Sequence, residues 1–398
     1  MRLRWAAMRG SLRGAAYIAG AYEHPRREIP DRSLAQIHAE VAAGALADAG
    51  LSITDVDAYY CAGDAPGFAA LSMADYLGLK CTTIDSTETG GSSYMVHVGH
   101  AMAQIAAGRS QVALITLGGK PRTGGPQPGG DVNAAGAPEG EFENIWGSSV
   151  VALYALAAQR HMYEFGTTSR QLAEIKVAAS KHAQHNPNAF LRDVVTVDEV
   201  VESPLVADPL HRLDCCVITD GGGALVVVSP EIARSLDREC VKLLGQGEAI
   251  KHNQGGLADL TYTGAVWSGP AAFEEAGVTP ADINYASIYD SFTVTVLLTL
   301  EDLGFCAKGE GGRFVSDGGL VAPFGRLPFN TDGGGLCNNH PANRGGMTKV
   351  IEAVRQLRGE AHPAVQVPDC QLALAHGTGG ALTTRHVSST LIMGVADA

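Results

Sequence analysis

The stretch "AFEEAGVTPADINYASIYDSF", residues 272–292, reads as the end of a helix, a polar turn and a buried strand. Gly277 stands where a helix stops, Asp282 closes the turn, and "INYASI" is apolar enough for a strand covered on both faces. The same order occurs earlier in "ALADAGLSITDVDA", residues 45–58, where Ala45 faces Ala272, Gly50 faces Gly277, Asp55 faces Asp282 and Val56 faces Ile283. A second echo follows each copy. "SSYMVHVGHAMAQIAAGRSQVALITLGG" and "GGMTKVIEAVRQLRGEAHPAVQVPDCQLALAHGTGG" both run glycine turn, periodic helix, glycine stop and apolar strand. Two resemblances in one order predict a duplicated unit that contains βαβ. Alternating strands and helices place the chain in the α/β class, with sheets covered by helices.

The totals agree with a large folded enzyme. The 398 residues suffice for two domains or one duplicated domain, 45% are apolar, and the formal charge is −13 with no basic run to offset it. Such a surface repels a phosphate backbone, so nucleic acid is excluded as the expected partner, although an anionic cofactor can still bind at helix N-termini. Eight cysteines without a C-x-x-C pair suit neither a zinc ribbon nor a disulfide scaffold and fit a reducing cytoplasm. The basic opening is interrupted by Arg9, Gly10, Arg13 and Gly14, with Met8 as an alternative start, and no apolar run is long enough for a membrane span.

Residues 119–147 are too rich in Gly and Pro for a core element and too long for a turn, which places them as a loop near the site or as a surface excursion. Two helices separated by "GTTS" come next, then strands at "CCVITDGGGALVVVS" and "VKLLGQGEAI". His182 and His185 have a spacing that could suit a metal, but no carboxylate pair completes a set. They read as a solvated helix end stopped by Pro187, and no metal site is expected.

Five segments in order, "CCVITDGGGALVVVS", "DINYASIYDSFTVTVLLTLEDLGFC", "GRLPFNTDGGGLCNNHPANRGG", "VIEAVRQLRGEA" and "ALAHGTGG", resemble the thiolase superfamily, specifically the sterol-carrier-protein-type thiolases and their thiolase-like, lipid-transfer relatives. The resemblance implies two βαβαβαββ halves in a five-layer αβαβα sandwich. The N-terminal half would be residues 1–230, with an insertion of about 119–215, and the C-terminal half residues 231–398. It also implies a homodimer acting on acyl-CoA thioesters, with coenzyme A as part of the substrate and no covalently bound cofactor.

By that resemblance His340 of "NNHP" lies beside the thioester carbonyl, and Tyr289 of "YDSF" takes the place of a polar group facing substrate. The residues alone agree. A His fixed before Pro341, ahead of a helix from about Met347, can aim a ring nitrogen at an oxygen near the helix start, and a phenol can donate or exchange a proton. The competing readings are a satisfied loop His and a buried strand-end Tyr. His376 of "AHGTGG" is a second acid or base, or a structural strand-end His. Gly91, Ser92, Asn339, Asp290, Gly379 and Gly380 complete the substrate-binding set, Asp290 as an anchor for neighbouring backbone. Asn339 replaces the family's Gly.

The departure is at the nucleophile. The family's reactive Cys corresponds to about Gly91, and no Cys lies between Cys81 and Cys215. An acyl-cysteine intermediate is thus disfavoured, Ser92 or Ser93 would need a base, and Cys337 is a bystander. Retro-aldol cleavage of a β-hydroxyacyl-CoA needs no nucleophile, and resembles thiolase-like aldolases that shorten steroid side chains with a small zinc-ribbon/OB-fold partner. In those relatives a Tyr in the "YDxF" position is the proposed proton-transfer residue. The alternatives are an acyl-CoA or lipid carrier or scaffold, and an acyltransferase with an atypical nucleophile.

Overall fold

The computed structural model describes residues 11–63, 65–124, 149–251, 259–341, 345–382 and 386–396. The chain's first ten residues and most of the loop at 119–147 lie outside the described residues.

The strands of the main sheet are β1 (Tyr17–Glu23), β2 (Ala58–Tyr60), β3 (Thr83–Asp85), β4 (Val112–Gly119), β5 (Gly221–Val228), β6 (Val241–Lys251), β7 (Tyr285–Ile288), β8 (Leu372–Gly379) and β9 (His386–Gly394). They form a nine-stranded sheet in the order β3-β2-β4-β5-β1-β6-β9-β8-β7. Read outward from its middle, the order repeats: β1-β5-β4-β2-β3 on one side, β6-β9-β8-β7 on the other. The directions repeat as well, with two antiparallel pairings and then parallel ones. Where β3 lies beside β2, a parallel bridge from Phe329 to Ala286 stands in the matching place beside β7. Within the sheet the sides join where Tyr17 pairs with Lys242 and Ile18 with Val241.

The duplicated stretches have one physical cause. Gly50 and Gly277 take left-handed φ values of 69° and 67° to end helices α1 (Leu34–Ala49) and α5 (Ala265–Ala276). Asp55 then accepts from the Ser52 amide at 2.7 Å, and Asp282 from the Thr279 amide at 2.8 Å. Both turns are capping boxes, which deliver Val56 and Ile283 to the start of a buried strand.

The other helices used below are α2 (Ser93–Ala106), α3 (Val150–Phe165), α4 (Ser169–Ala183), α6 (Thr293–Asp302) and α7 (Gly346–Leu357). α1 covers one side of the sheet and α5 the other, while α2 and α7 lie between and touch strands of both sides. Five layers result. Tyr94, Met95, Val98 and Met102 of α2 pack with Val350, Ile351 and Val354 of α7 in a central core, flanked by one core under α1 and one under α5 and α6. Fully burying such side chains contributes about 1.5–3 kcal/mol each. A helix in the middle layer has little solvent face: Lys349, Glu352 and Gln356 of α7 are buried with its apolar residues.

One expectation needs correction. His182 is buried rather than solvated: Nε2 accepts the Ala322 amide at 2.8 Å, and burial lowers its pKa to about 4. His185 stacks on His362 with ring centres 4.8 Å apart. Among the described residues no cluster of three or more His, Cys, Asp or Glu could hold a metal, and no helix is long and apolar enough to cross a membrane.

Candidate active site

The site forms where α2 and α7 begin. β7 ends at Ile288, whose backbone is held on both sides by the Asn330 amide group at 2.8 Å. The Tyr289 amide continues the pairing by donating to the His376 carbonyl at 2.9 Å. The next residue, Asp290, accepts from the backbone amides of Gly335 at 2.7 Å and Leu336 at 3.1 Å. It thereby anchors the turn leading to His340. The His340 amide donates to Thr219 Oγ1 at 2.9 Å, whose hydroxyl donates in turn to Asn339 Oδ1 at 2.8 Å.

These anchors bring Tyr289 Oη and His340 Nε2 to 2.9 Å, with ring centres 5.4 Å apart and planes at 60°. Both residues are buried. Burial pushes the His340 pKa down to about 4; Asp290 raises it and Lys349 lowers it. The ring is therefore neutral near pH 7, with one nitrogen a donor and the other an acceptor. Nδ1 has no partner among the described residues. With the phenol donating to Nε2, Nδ1 carries the hydrogen and can meet a developing oxyanion.

Gly91 lies against the same ring. A Cβ built on Gly91 would overlap the Tyr289 ring and the Thr378 carbonyl oxygen, and one on Gly346 would overlap the Gly91 carbonyl oxygen. The starts of α2 and α7 thus converge beside Tyr289, and their dipoles favour negative charge there. The space a side chain at position 91 would need is filled by the phenol. Ser92 is turned inward: its hydroxyl donates to the Thr89 carbonyl at 2.8 Å, and Ser93 Oγ accepts the Thr89 amide at 2.9 Å. Among the described residues neither hydroxyl is bonded to a His or a carboxylate. Gly379 presses on Thr89, where a Cβ would overlap that carbonyl, and the Gly380 carbonyl accepts from Tyr154 Oη at 3.4 Å.

His376 does not join the pair. Along β8, Ala373 and Ala375 face the central core while Leu374 faces the core under α5, so strand alternation sends His376 to the α5 side. Its Nδ1 bonds Thr390 Oγ1 at 2.9 Å, and Thr390 bonds Ser268 of α5 at 3.0 Å. Burial lowers its pKa to about 3. Cys337 likewise points elsewhere, its sulfur 3.1 Å from Lys176 Nζ, with burial raising the thiol pKa.

Sequence reasoning missed Lys349, whose ammonium lies 2.8 Å from Asp290 Oδ1. It also missed Thr219 and Glu23, which accepts from Asn339 Nδ2 at 3.0 Å. Lys349 sits at a position that an amphipathic surface helix would turn to solvent; the signal that could have found it is the sandwich fold itself, in which α7 lies between the two sides of the sheet.

Comparison with known proteins places this geometry. A family described as "Thiolase C-terminal domain-like" matches residues 247–394. An acetyl-CoA acetyltransferase of Methanothermobacter thermautotrophicus is 34% identical over 91% of this chain and 96% of its own length. A 17-hydroxy-3-oxo-4-pregnene-20-carboxyl-CoA lyase of Mycobacterium tuberculosis is 34% identical over 92% of this chain and 97% of its own. The chain belongs to the thiolase superfamily. Among solved structures, one titled "Ltp2-ChsH2(DUF35) aldolase" superposes with a TM-score of 0.87 at 32% identity, covering 96% of this chain and 98% of that one.

Proposed function

We propose that this protein is a carbon–carbon lyase that cleaves a β-hydroxyacyl-CoA by a retro-aldol reaction, of the type used in shortening steroid side chains. The observation that carries this reading is the Tyr289 ring in the space that a side chain at position 91 would need, with a neutral imidazole 2.9 Å from its hydroxyl. An acyl-enzyme needs a nucleophile at that helix mouth; a retro-aldol step needs only a proton acceptor and an oxyanion site. Two relatives carry names that point the same way, the CoA lyase and the aldolase.

As the β-hydroxyl proton moves to Tyr289 Oη, the phenol passes its own proton to His340 Nε2. The β-oxygen becomes a carbonyl, the Cα–Cβ bond breaks, and its electron pair forms the enolate of the thioester. The imidazolium and the starts of α2 and α7 steady the enolate oxygen, and return of the proton to Cα releases the shortened acyl-CoA. Gly91, Ser92, Gly379 and Gly380 supply close-packed backbone, and Asn339 and Asp290 hold the loop of His340. His376 has no part in this scheme.

Coenzyme A enters as part of the substrate, with no covalently bound cofactor. A small zinc-ribbon/OB-fold partner is included in the proposal, in keeping with the two-component title of the aldolase structure. So is a homodimer, for β3 is an unpaired edge with Ile84 exposed and Leu71 of the neighbouring helix beside it. The protein is assigned to the cytoplasm. The deciding assay supplies a β-hydroxyacyl-CoA with a tertiary hydroxyl, with and without a candidate partner, and measures ketone and shortened acyl-CoA. Binding without turnover in every combination would leave a carrier, and an acyl-enzyme mass would return the acyltransferase reading favoured by the acetyltransferase relative.

A further inference from the structure

Lys349, in the first turn of α7, is 1% exposed, and its ion-pair partner Asp290 is equally buried. The 2.8 Å approach is an ion pair by distance rather than a well-aligned hydrogen bond. Burying two charges is costly, and an apolar pair of similar volume often serves stability as well. The pair therefore asks for a reason beyond stability, and its surroundings supply one. Asp290 holds the Gly335 and Leu336 amides, and a Cβ on Gly335 would lie 3.1 Å from His340 Cδ2. The carboxylate is thus next to the imidazole as well as under its loop.

We propose that Lys349 is a positioning residue for His340: it fixes the Asp290 carboxylate on the turn that carries the imidazole, and cancels that carboxylate's negative field at the ring. The proposal rests on the reading of His340 as a neutral ring working beside Tyr289. Left unopposed, Asp290 would favour a protonated imidazole, which could not accept from the phenol. The charged groups acting on His340 are Asp290, from the segment after β7, and Lys349, from α7; Asp332 and Glu23 stand behind and act on Lys349. Burial lowers the Lys349 pKa, but Asp290, Asp332 and Glu23 outweigh it and leave the pKa raised. The group is an ammonium, not an amine nucleophile.

The test follows the His340 side chain by NMR in the full-length protein labelled at histidine with 13C and 15N, the signal being assigned by its loss in His340→Gln. Lys349→Met is expected to raise the His340 titration midpoint by roughly one pH unit or more. Lys349→Arg should keep the parent midpoint, and Lys349→Met with Asp290→Asn should return it towards the parent. If Lys349→Met does not fold, Asp290→Asn leaves the ammonium unopposed and should lower the midpoint, with the double variant restoring it. An unchanged midpoint in every folded variant, whatever happens to thermal stability, overturns the proposal. The titration is independent of turnover. A parent protein that cleaves no β-hydroxyacyl-CoA would remove the proposed function and leave this result standing, and the reverse holds equally.

Discussion

The two helices of the middle layer begin at almost the same point and have opposite chemistry. The start of α2 offers glycine at 90 and 91 and two hydroxyls spent on Thr89. The segments around the start of α7 bring His340, Tyr289, Asp290 and Lys349. In a duplicated fold this asymmetry is the informative part: the mouth of α2 carries glycine, and the phenol that follows β7 fills the space a side chain at position 91 would need. A site built this way can move protons and hold an oxyanion, and it has no room for a covalent intermediate at position 91.

The strongest way to break the contrast is Tyr289→Phe, which leaves the ring packed on Gly91 and removes only the hydroxyl. Cleavage of the β-hydroxyacyl-CoA should fall roughly 10²- to 10⁴-fold, with binding of the acyl-CoA by calorimetry unchanged. A variant with full turnover would exclude the phenol from proton transfer. Next comes His340→Gln, which keeps polarity near the phenol but loses the proton acceptor and the imidazole donor. The expected loss in kcat is about 10²- to 10³-fold. The parent should also keep its kcat/KM down to acid pH, because the ring stays neutral until its pKa of about 4 and is lost as an acceptor only below it.

Gly91→Ala tests the other side of the comparison. The new methyl meets both the Tyr289 ring and the Thr378 carbonyl oxygen, so overpacking should cost about 1–3 kcal/mol in denaturant unfolding. Adding Tyr289→Ala should not restore the stability, since the backbone overlap remains. The smallest effect is expected for His376→Asn, whose amide can still bond Thr390: turnover should stay within about fivefold, the equivalent of one hydrogen bond of about 1 kcal/mol. His376 is neutral when folded, with a pKa of about 3 against 6.5 when free. As pH falls below 6.5 the unfolded chain gains the proton and the folded chain resists it, so the parent loses stability over that range. The variant lacks this group and should lose stability less steeply between pH 6.5 and 3 in acid-unfolding curves. Equal pH slopes would place His376 in a solvated position.

His340 and His376 also mark how far the sequence could be read. Both are buried and both have lowered pKa values, and each follows an apolar segment near a glycine cluster. Pro341 and the following helix pointed to His340, which the structure sets 2.9 Å from the Tyr289 hydroxyl. For His376, the face of β8 on which it falls depends on which sheet neighbours it meets, and an uncertainty of one residue in alignment moves a strand side chain to the opposite face. Lys349 was illegible for a related reason: helical periodicity gives the polar face of a helix, but not whether that face meets water or a second sheet.

The sequence by itself determined the repeated units, because the Gly stops at 50 and 277, the boxes closed by Asp55 and Asp282 and the strands behind them are set by neighbours a few residues away. It also determined that no cysteine stands between Cys81 and Cys215, which is a matter of which residue is present. Only the tertiary structure decided which groups share the site. Tyr289, His340, Gly91 and Lys349 come from four separate segments, and their meeting depends on the two sides of the sheet closing over one pair of helices. Contacts across that distance in sequence leave no local periodicity to read, since they are fixed by packing rather than by the backbone preferences of adjacent residues.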